Sequence, residues 1–241
     1  MAADNSDAES SVAEDIPFSF FDLPAELRIR IYEMLLVQPK PIDLDPGNPS
    51  RLSPLILSLF LTSHRVHEEA YHVFYGRNTF RLFPLHGRFF HSRWPLLARL
   101  PRRYRAAITS VDVRLGPGWT APPKGWRVNR RLGLADCVAL RELKVFVEVD
   151  PSDDCFRDFR VSKSFYTHFC RDLLVGIMNQ VPSIETVEFD AYPAVSRSAP
   201  LMSELLTQAK ARQKRILWGP ERGWKQDTVD STVENGAVAV A

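Results

Sequence analysis

LRELKVFVE, residues 140–148, has an aliphatic first position and apolar fourth, sixth and eighth positions: Leu140, Leu143, Val145 and Val147. Alternation of this kind marks an extended strand in which every second side chain enters a core. The pattern recurs in ITSVDVRLG, residues 108–116, with Ile108, Val111, Val113 and Leu115. It recurs again in IETVEFDAY, residues 184–192, with Ile184, Val187, Phe189 and Ala191. The intervals between these segments leave room for helices. SFYTHFCRDLLVGIMNQ (164–180) reads as one, and LMSELLTQAKARQ (201–213) as another, before the short apolar run RILWG. Strand, helix, strand implies parallel pairing through right-handed crossovers. The expected fold class is therefore α/β, with a short, mostly parallel sheet and crossover helices.

The apolar spacing is that of a leucine-rich-repeat strand, although the intervals are too long and unequal for a regular solenoid. Residues between the apolar positions point away from the core. They are Asp112 and Arg114, then Lys144, Phe146 and Glu148, then Glu188 and Asp190. If the strands align, these form a ribbon of both signs with one aromatic in the middle. Arg114, Lys144, Glu148, Glu188 and Asp190 are the candidate surface for a protein substrate. Phe146 is either covered on that face or exposed as an anchor for a partner, and cover by a crossover helix such as 164–180 is the expectation.

Upstream, FFDLPAELRIRIYEMLLV (20–37) predicts a helix from about Leu23 to Leu36. Asp22 is placed to cap it, Pro24 sits where a missing amide hydrogen costs nothing, and Glu26 favours the positive end of the dipole. Leu23, Leu27, Ile31 and Leu35 recur every four residues as an apolar stripe, with Met34 beside them. Residues 38–53, with four prolines and a glycine, read as a long loop. In PLILSLFLTSHRVHEEAYHVFYGRN, Ser63 is placed to cap a new helix over residues 64–75 that Gly76 closes. NTFRLF then begins a strand.

Bulk properties exclude little. The chain has 241 residues, 45% hydrophobic and 25% charged, and carries a net charge of +2, all ordinary for a globular protein. Residues 1–19 hold five acids and no Lys or Arg, which predicts a disordered acidic tail. No basic start with an apolar run suggests a signal peptide, and no stretch is long enough to span a membrane. Three distant cysteines fit neither a zinc site nor a disulfide framework and favour a reducing compartment. HEEAYH differs from a zinc-protease motif because its second His falls five residues on. His64, His67 and His72 are read as surface or capping residues, and DPSDD as a solvated turn. No phosphate loop or nucleophile–base pattern stands out, so no catalytic residue, metal or cofactor is expected. Thirteen basic residues and one acid, Asp112, lie between Arg77 and Arg131, interleaved with aromatics. Arg99, Arg102, Arg103 and Arg105 of RLPRRYR are candidate nucleic-acid contacts or an import signal. Three plainer explanations of that belt stand beside this one: a solvated covering on helices, pairing with acids elsewhere in the fold, or neutralisation of the acidic tail.

FDLPAELRIRIYEMLL resembles the start of an F-box, with its Leu-Pro followed by an amphipathic helix. LTSHRVHEEAYHVFYGRNTFRL is similar to the continuation of F-box-like domains from filamentous fungi. The resemblance spans roughly residues 18–83, and leucine-rich-repeat-like strands commonly accompany F-boxes. It implies a non-enzymatic adaptor, cytoplasmic or nuclear, that binds Skp1 and recruits a protein substrate to a cullin-type ubiquitin ligase. Leu23, Pro24, Leu27, Ile31 and Leu35 would then be the adaptor-facing or module-packing positions. Packing of the same stripe on the chain's own later helices is the competing reading, and nucleic-acid binding or nuclear scaffolding through segment 77–131 the alternative function. The expected organisation is an acidic tail (1–19), an F-box-like helical module (20–76), an α/β leucine-rich-repeat-like domain (77–224) and a disordered tail (225–241). The loop at 38–53 is longer than a compact F-box has.

Overall fold

The computed structural model describes residues 19–43, 54–83, 85, 96–116, 118–123 and 125–224. The expected tails, apart from Ser19 of the first, and residues 44–53 of the expected loop lie outside the described residues. A five-stranded sheet forms the centre: β1 (Thr79–Arg81), β2 (Ser110–Leu115), β3 (Glu142–Val147), β4 (Thr186–Ala191) and β5 (Arg215–Trp218). The strands lie side by side in chain order, and every pairing is parallel. Ile42 extends the β1 edge by pairing with Phe80, its N–H donating to the Thr79 carbonyl at 2.8 Å.

The apolar positions of the three strands are buried as expected. Val111, Val113, Leu115, Leu143, Val145, Val147, Val187, Phe189 and Ala191 are all buried. The lead positions Ile108, Leu140 and Ile184 are buried as well, so each of these three strands is anchored in the core just before it begins. Each buried aliphatic side chain contributes about 2 kcal/mol by leaving water. Between β3 and β4 runs α5 (Phe165–Gln180), which buries Cys170, Leu173, Leu174 and Ile177. Between β4 and β5 runs α6 (Pro200–Ala211), which buries Leu201, Met202, Leu205, Leu206 and Ala209. Among its described residues the β2–β3 connection has no α-helix and uses 3-10 turns at Arg130–Leu132 and Leu134–Asp136 instead. Gly133 joins these turns at a φ of 79°, a left-handed conformation that favours glycine.

On the β1 side stand α1 (Ala25–Leu36), α2 (Pro54–Thr62) and α3 (His64–Arg77), and α4 (Arg102–Ala107) follows β1. Ser63 caps α3 as expected, its hydroxyl accepting from the Val66 N–H at 3.2 Å. Two expectations about helix ends are corrected. The helix expected from Leu23 begins at Ala25, with Pro24 at its N-cap. Asp22 does not cap it and instead closes a 3-10 turn, accepting from the Ser19 N–H at 3.1 Å. Nor does Gly76 end α3, which runs on to Arg77. Asn78 finishes both helices. Its Nδ2 donates to the Leu36 and Phe74 carbonyls, each at 2.9 Å, and its Oδ1 accepts from the Gln38 N–H at 2.7 Å. Helix ends leave carbonyls without partners, and one side chain here satisfies two.

A single apolar core runs from Tyr32 to Trp224. Tyr75 stacks on Phe80 at 5.4 Å and on Tyr104 at 4.9 Å, so aromatic rings join α3, β1 and α4. Among the described residues, no helix is long and apolar enough to cross a membrane.

Candidate functional site

The inward face of α1 is Arg28, Tyr32 and Leu36. The row Leu27, Ile31 and Leu35 is offset from it by one residue, about 100° around the helix. Leu27 and Leu35 are 51% and 45% exposed, and Met34 is 74% exposed. Pro24 is exposed too, while Leu23 and Ile31 are half-buried. On α2, only Ile56 is buried, and Leu55, Leu57 and Leu61 face water. Of thirteen exposed large apolar residues among the described residues, eight lie on α1, α2 and Val37. Apolar surface is thus concentrated on this first helical pair.

What holds α1 in place is polar. Arg28 donates from Nε to Glu69 Oε2 at 2.9 Å and from Nη2 to Glu69 Oε1 at 2.8 Å. Its Nη1 reaches the Leu23 carbonyl at 2.5 Å, and the Tyr32 hydroxyl donates to Glu69 Oε2 at 3.3 Å. The Arg28 hydrogen bonds hold the Glu69 carboxyl below the usual range. Burial, assisted by the Glu69 charge, pushes the Tyr32 phenol up to about 12. A bidentate guanidinium–carboxylate pair fixes geometry as well as attraction. It orients α1 on α3 so that the leucine row turns outward.

The strand ribbon forms in the expected register: Asp112 opposite Lys144 opposite Glu188, and Arg114 opposite Phe146 opposite Asp190. Lys144 Nζ lies 3.3 Å from Glu188 and 3.7 Å from Glu142. Arg114 pairs with Glu148, and its guanidinium sits 4.7 Å from the Phe146 ring centre. Phe146 also meets Tyr192 edge-on at 5.0 Å. It is half-buried and lines an open concavity of about 300 Å³ with Pro39, Lys144 and Glu188. That overturns the expectation that a crossover helix covers it. Strands laid in chain order send their crossovers to one face, and Phe146 stands on the other.

Two ribbon acids are interior rather than presented. Asp112 is 5% exposed, and its Oδ2 accepts from Arg81 Nε at 2.9 Å. Burial pushes its carboxyl up, against the pull of Arg81. Asp190 is 8% exposed and accepts from the Glu221 and Arg222 N–H groups at 3.0 and 2.9 Å. A Cβ at Gly219 would collide with this carboxylate, so a glycine lets the backbone close over it. Asp190, placed among the substrate-facing residues by its strand position, therefore organises the turn after β5. Asp150 of DPSDD is likewise no solvated residue: it is buried and accepts from the Leu201 N–H at 3.0 Å, at the start of α6.

The arginine belt meets acids from elsewhere in the chain. Arg102 and Arg105 both reach Asp136, at 3.1 and 2.8 Å, and Arg103 reaches Glu68 at 3.0 Å. Arg77 pairs with Glu33, and Arg81 with Asp43 and Asp112. Arg99 is exposed at the end of a short 3-10 turn. His67 is more than a surface residue, because its Nε2 lies 2.7 Å from the Tyr104 hydroxyl and links α3 to α4. Among the described residues no cluster of His, Cys, Asp and Glu is arranged to hold a metal. Cys137 and Cys170 are buried free thiols, and burial pushes Cys137 up to about 12. Sequence reasoning missed Arg28, Glu69 and Asn78. Asn78 carried a signal, since it stands just after a helix that needed an end.

Comparison of the chain with family models, with curated proteins and with solved structures gives no match.

Proposed function

We propose that the chain is a substrate-recruiting adaptor of a cullin-type ubiquitin ligase, which docks a Skp1-like protein through α1 and α2. The observation that supports this reading is the outward leucine row. Leu27 and Leu35 on α1 and Leu55, Leu57 and Leu61 on α2 are in water, while the Arg28–Glu69 pair and Tyr32 do the inward packing. Apolar area clustered in this way marks a surface that a partner covers. The Leu-Pro helix and its continuation resemble an F-box, and that likeness chooses the occupant. The half-buried Phe146, flanked by Arg114, Lys144, Glu148 and Glu188, is the surface assigned to the recruited protein.

Co-purification tests the reading. Wild-type protein should retain Skp1 from the host, and Leu27→Asp with Leu35→Asp should abolish retention while leaving the melting temperature close to wild type. Both positions are exposed, so a charge there costs the fold little. Across an apolar interface an unpaired carboxylate costs several kcal/mol, enough to lose a typical complex. Wild-type protein that fails to hold Skp1 at high concentration overturns the proposal.

A further inference from the structure

At the β5 edge, the side of the sheet away from α1–α3, three cations share one concavity. Arg197, Lys210 and Arg222 line a pocket of about 470 Å³ together with Ser196, Ser198 and Ser203. Thr207 adds a fourth hydroxyl, and no carboxylate is part of the lining. None of the three cations forms an ion pair among the described residues, unlike most arginines of the belt. Asp190, whose carboxylate holds the turn that carries Arg222, has both oxygens engaged by backbone N–H groups.

The pocket is built rather than incidental. Asp190 holds the Arg222 backbone at 2.9 Å, and Arg222 Nε donates to the Val195 carbonyl at 3.3 Å. The Arg197 guanidinium lies over the Trp218 ring at 4.4 Å, which orients its planar fork. Ser203, Thr207 and Lys210 recur along one face of α6. Three like charges around a cleft repel one another and favour an anion between them. Two guanidiniums, one ammonium and a rim of hydroxyls match the oxygen-rich, doubly charged phosphate group.

We propose that this pocket binds a phosphate monoester, carried either on a phosphorylated serine side chain or on a small free metabolite. The space exceeds a bare phosphate and admits the group to which it is attached. The site does not depend on the adaptor reading, because it shares no residue with α1 or α2.

Calorimetry on the full chain tests it with O-phosphoserine, with a short phosphoserine peptide and with the unphosphorylated twin. The phosphorylated probes should bind, the twin should not, and affinity should fall as salt rises. Arg197→Gln combined with Lys210→Gln should weaken binding about tenfold or more. Both residues are exposed, and an unchanged melting curve verifies the fold. Should the pair disturb it, Lys210→Gln alone serves, since Lys210 makes no ion pair among the described residues. A peptide that binds more tightly than O-phosphoserine identifies a protein source, and the reverse order a metabolite. Equal binding of the twin, affinity untouched by the substitutions, or no binding of either phosphorylated probe at millimolar concentration overturns the proposal.

Discussion

Asn78 shows how much one residue can decide. With 1% of its surface exposed, it serves the Leu36 and Phe74 carbonyls and the Gln38 N–H at once. Replacing it by Ala strands three backbone groups away from water, each worth about 1 kcal/mol or more. Asn78→Ala should therefore destabilise the protein by about 3 kcal/mol, measured as a shift of the urea midpoint at constant slope. Asn78→Asp keeps the shape but sets a carboxylate against two carbonyl oxygens, so its loss should be at least as large. A shift near zero in both variants would mean that the helix ends find other partners. Arg28 teaches the same lesson from the other direction. In the sequence it looks like the solvated flank of an apolar helix, because its partner Glu69 is far along the chain. A single sequence does not pair distant charges, which is why neither Arg28 nor Glu69 stands out in it.

Among elements, α1 depends on α3 through a pair whose charge state changes in acid. Glu69 has its carboxyl lowered in the fold, so its contribution to stability is full above its ordinary value of 4.5. That contribution disappears as pH falls through the lower, folded value. Asp112 is shifted the other way from 3.8, so it favours the fold in acid and loses that effect as pH rises. Glu69→Gln isolates the first slope: between about pH 5 and about pH 3 the variant should lose less stability than wild type. Parallel loss in the two proteins would show that the Arg28–Glu69 pair carries no weight. The strands were legible because a two-residue period with one buried face leaves little freedom of register. Lys144 opposite Glu188 and Arg114 opposite Phe146 follow directly from that period. The helices were less so. Several rows of α1 are apolar, and periodicity alone does not say which of them turns inward.

For the whole molecule, the continuous core and the Phe80–Tyr75–Tyr104 stack predict one cooperative unfolding transition. Helical circular dichroism and tryptophan fluorescence should change together in denaturant, and two separated transitions would show that the helices before β1 fold apart from the sheet. The division at residue 76 expected from the sequence marks a change of pattern, from helical period to strand period, while the packing runs across it. Side-by-side placement of the strands in chain order also bears on how the protein is made. Each strand meets a neighbour already synthesised, so no sheet pairing waits for a distant later segment. Ile42 precedes β1 and β1 precedes β2, and α6 is complete before β5 leaves the ribosome. A chain emerging from its N-terminal end can extend the sheet one strand at a time, exposing at each moment a single growing edge.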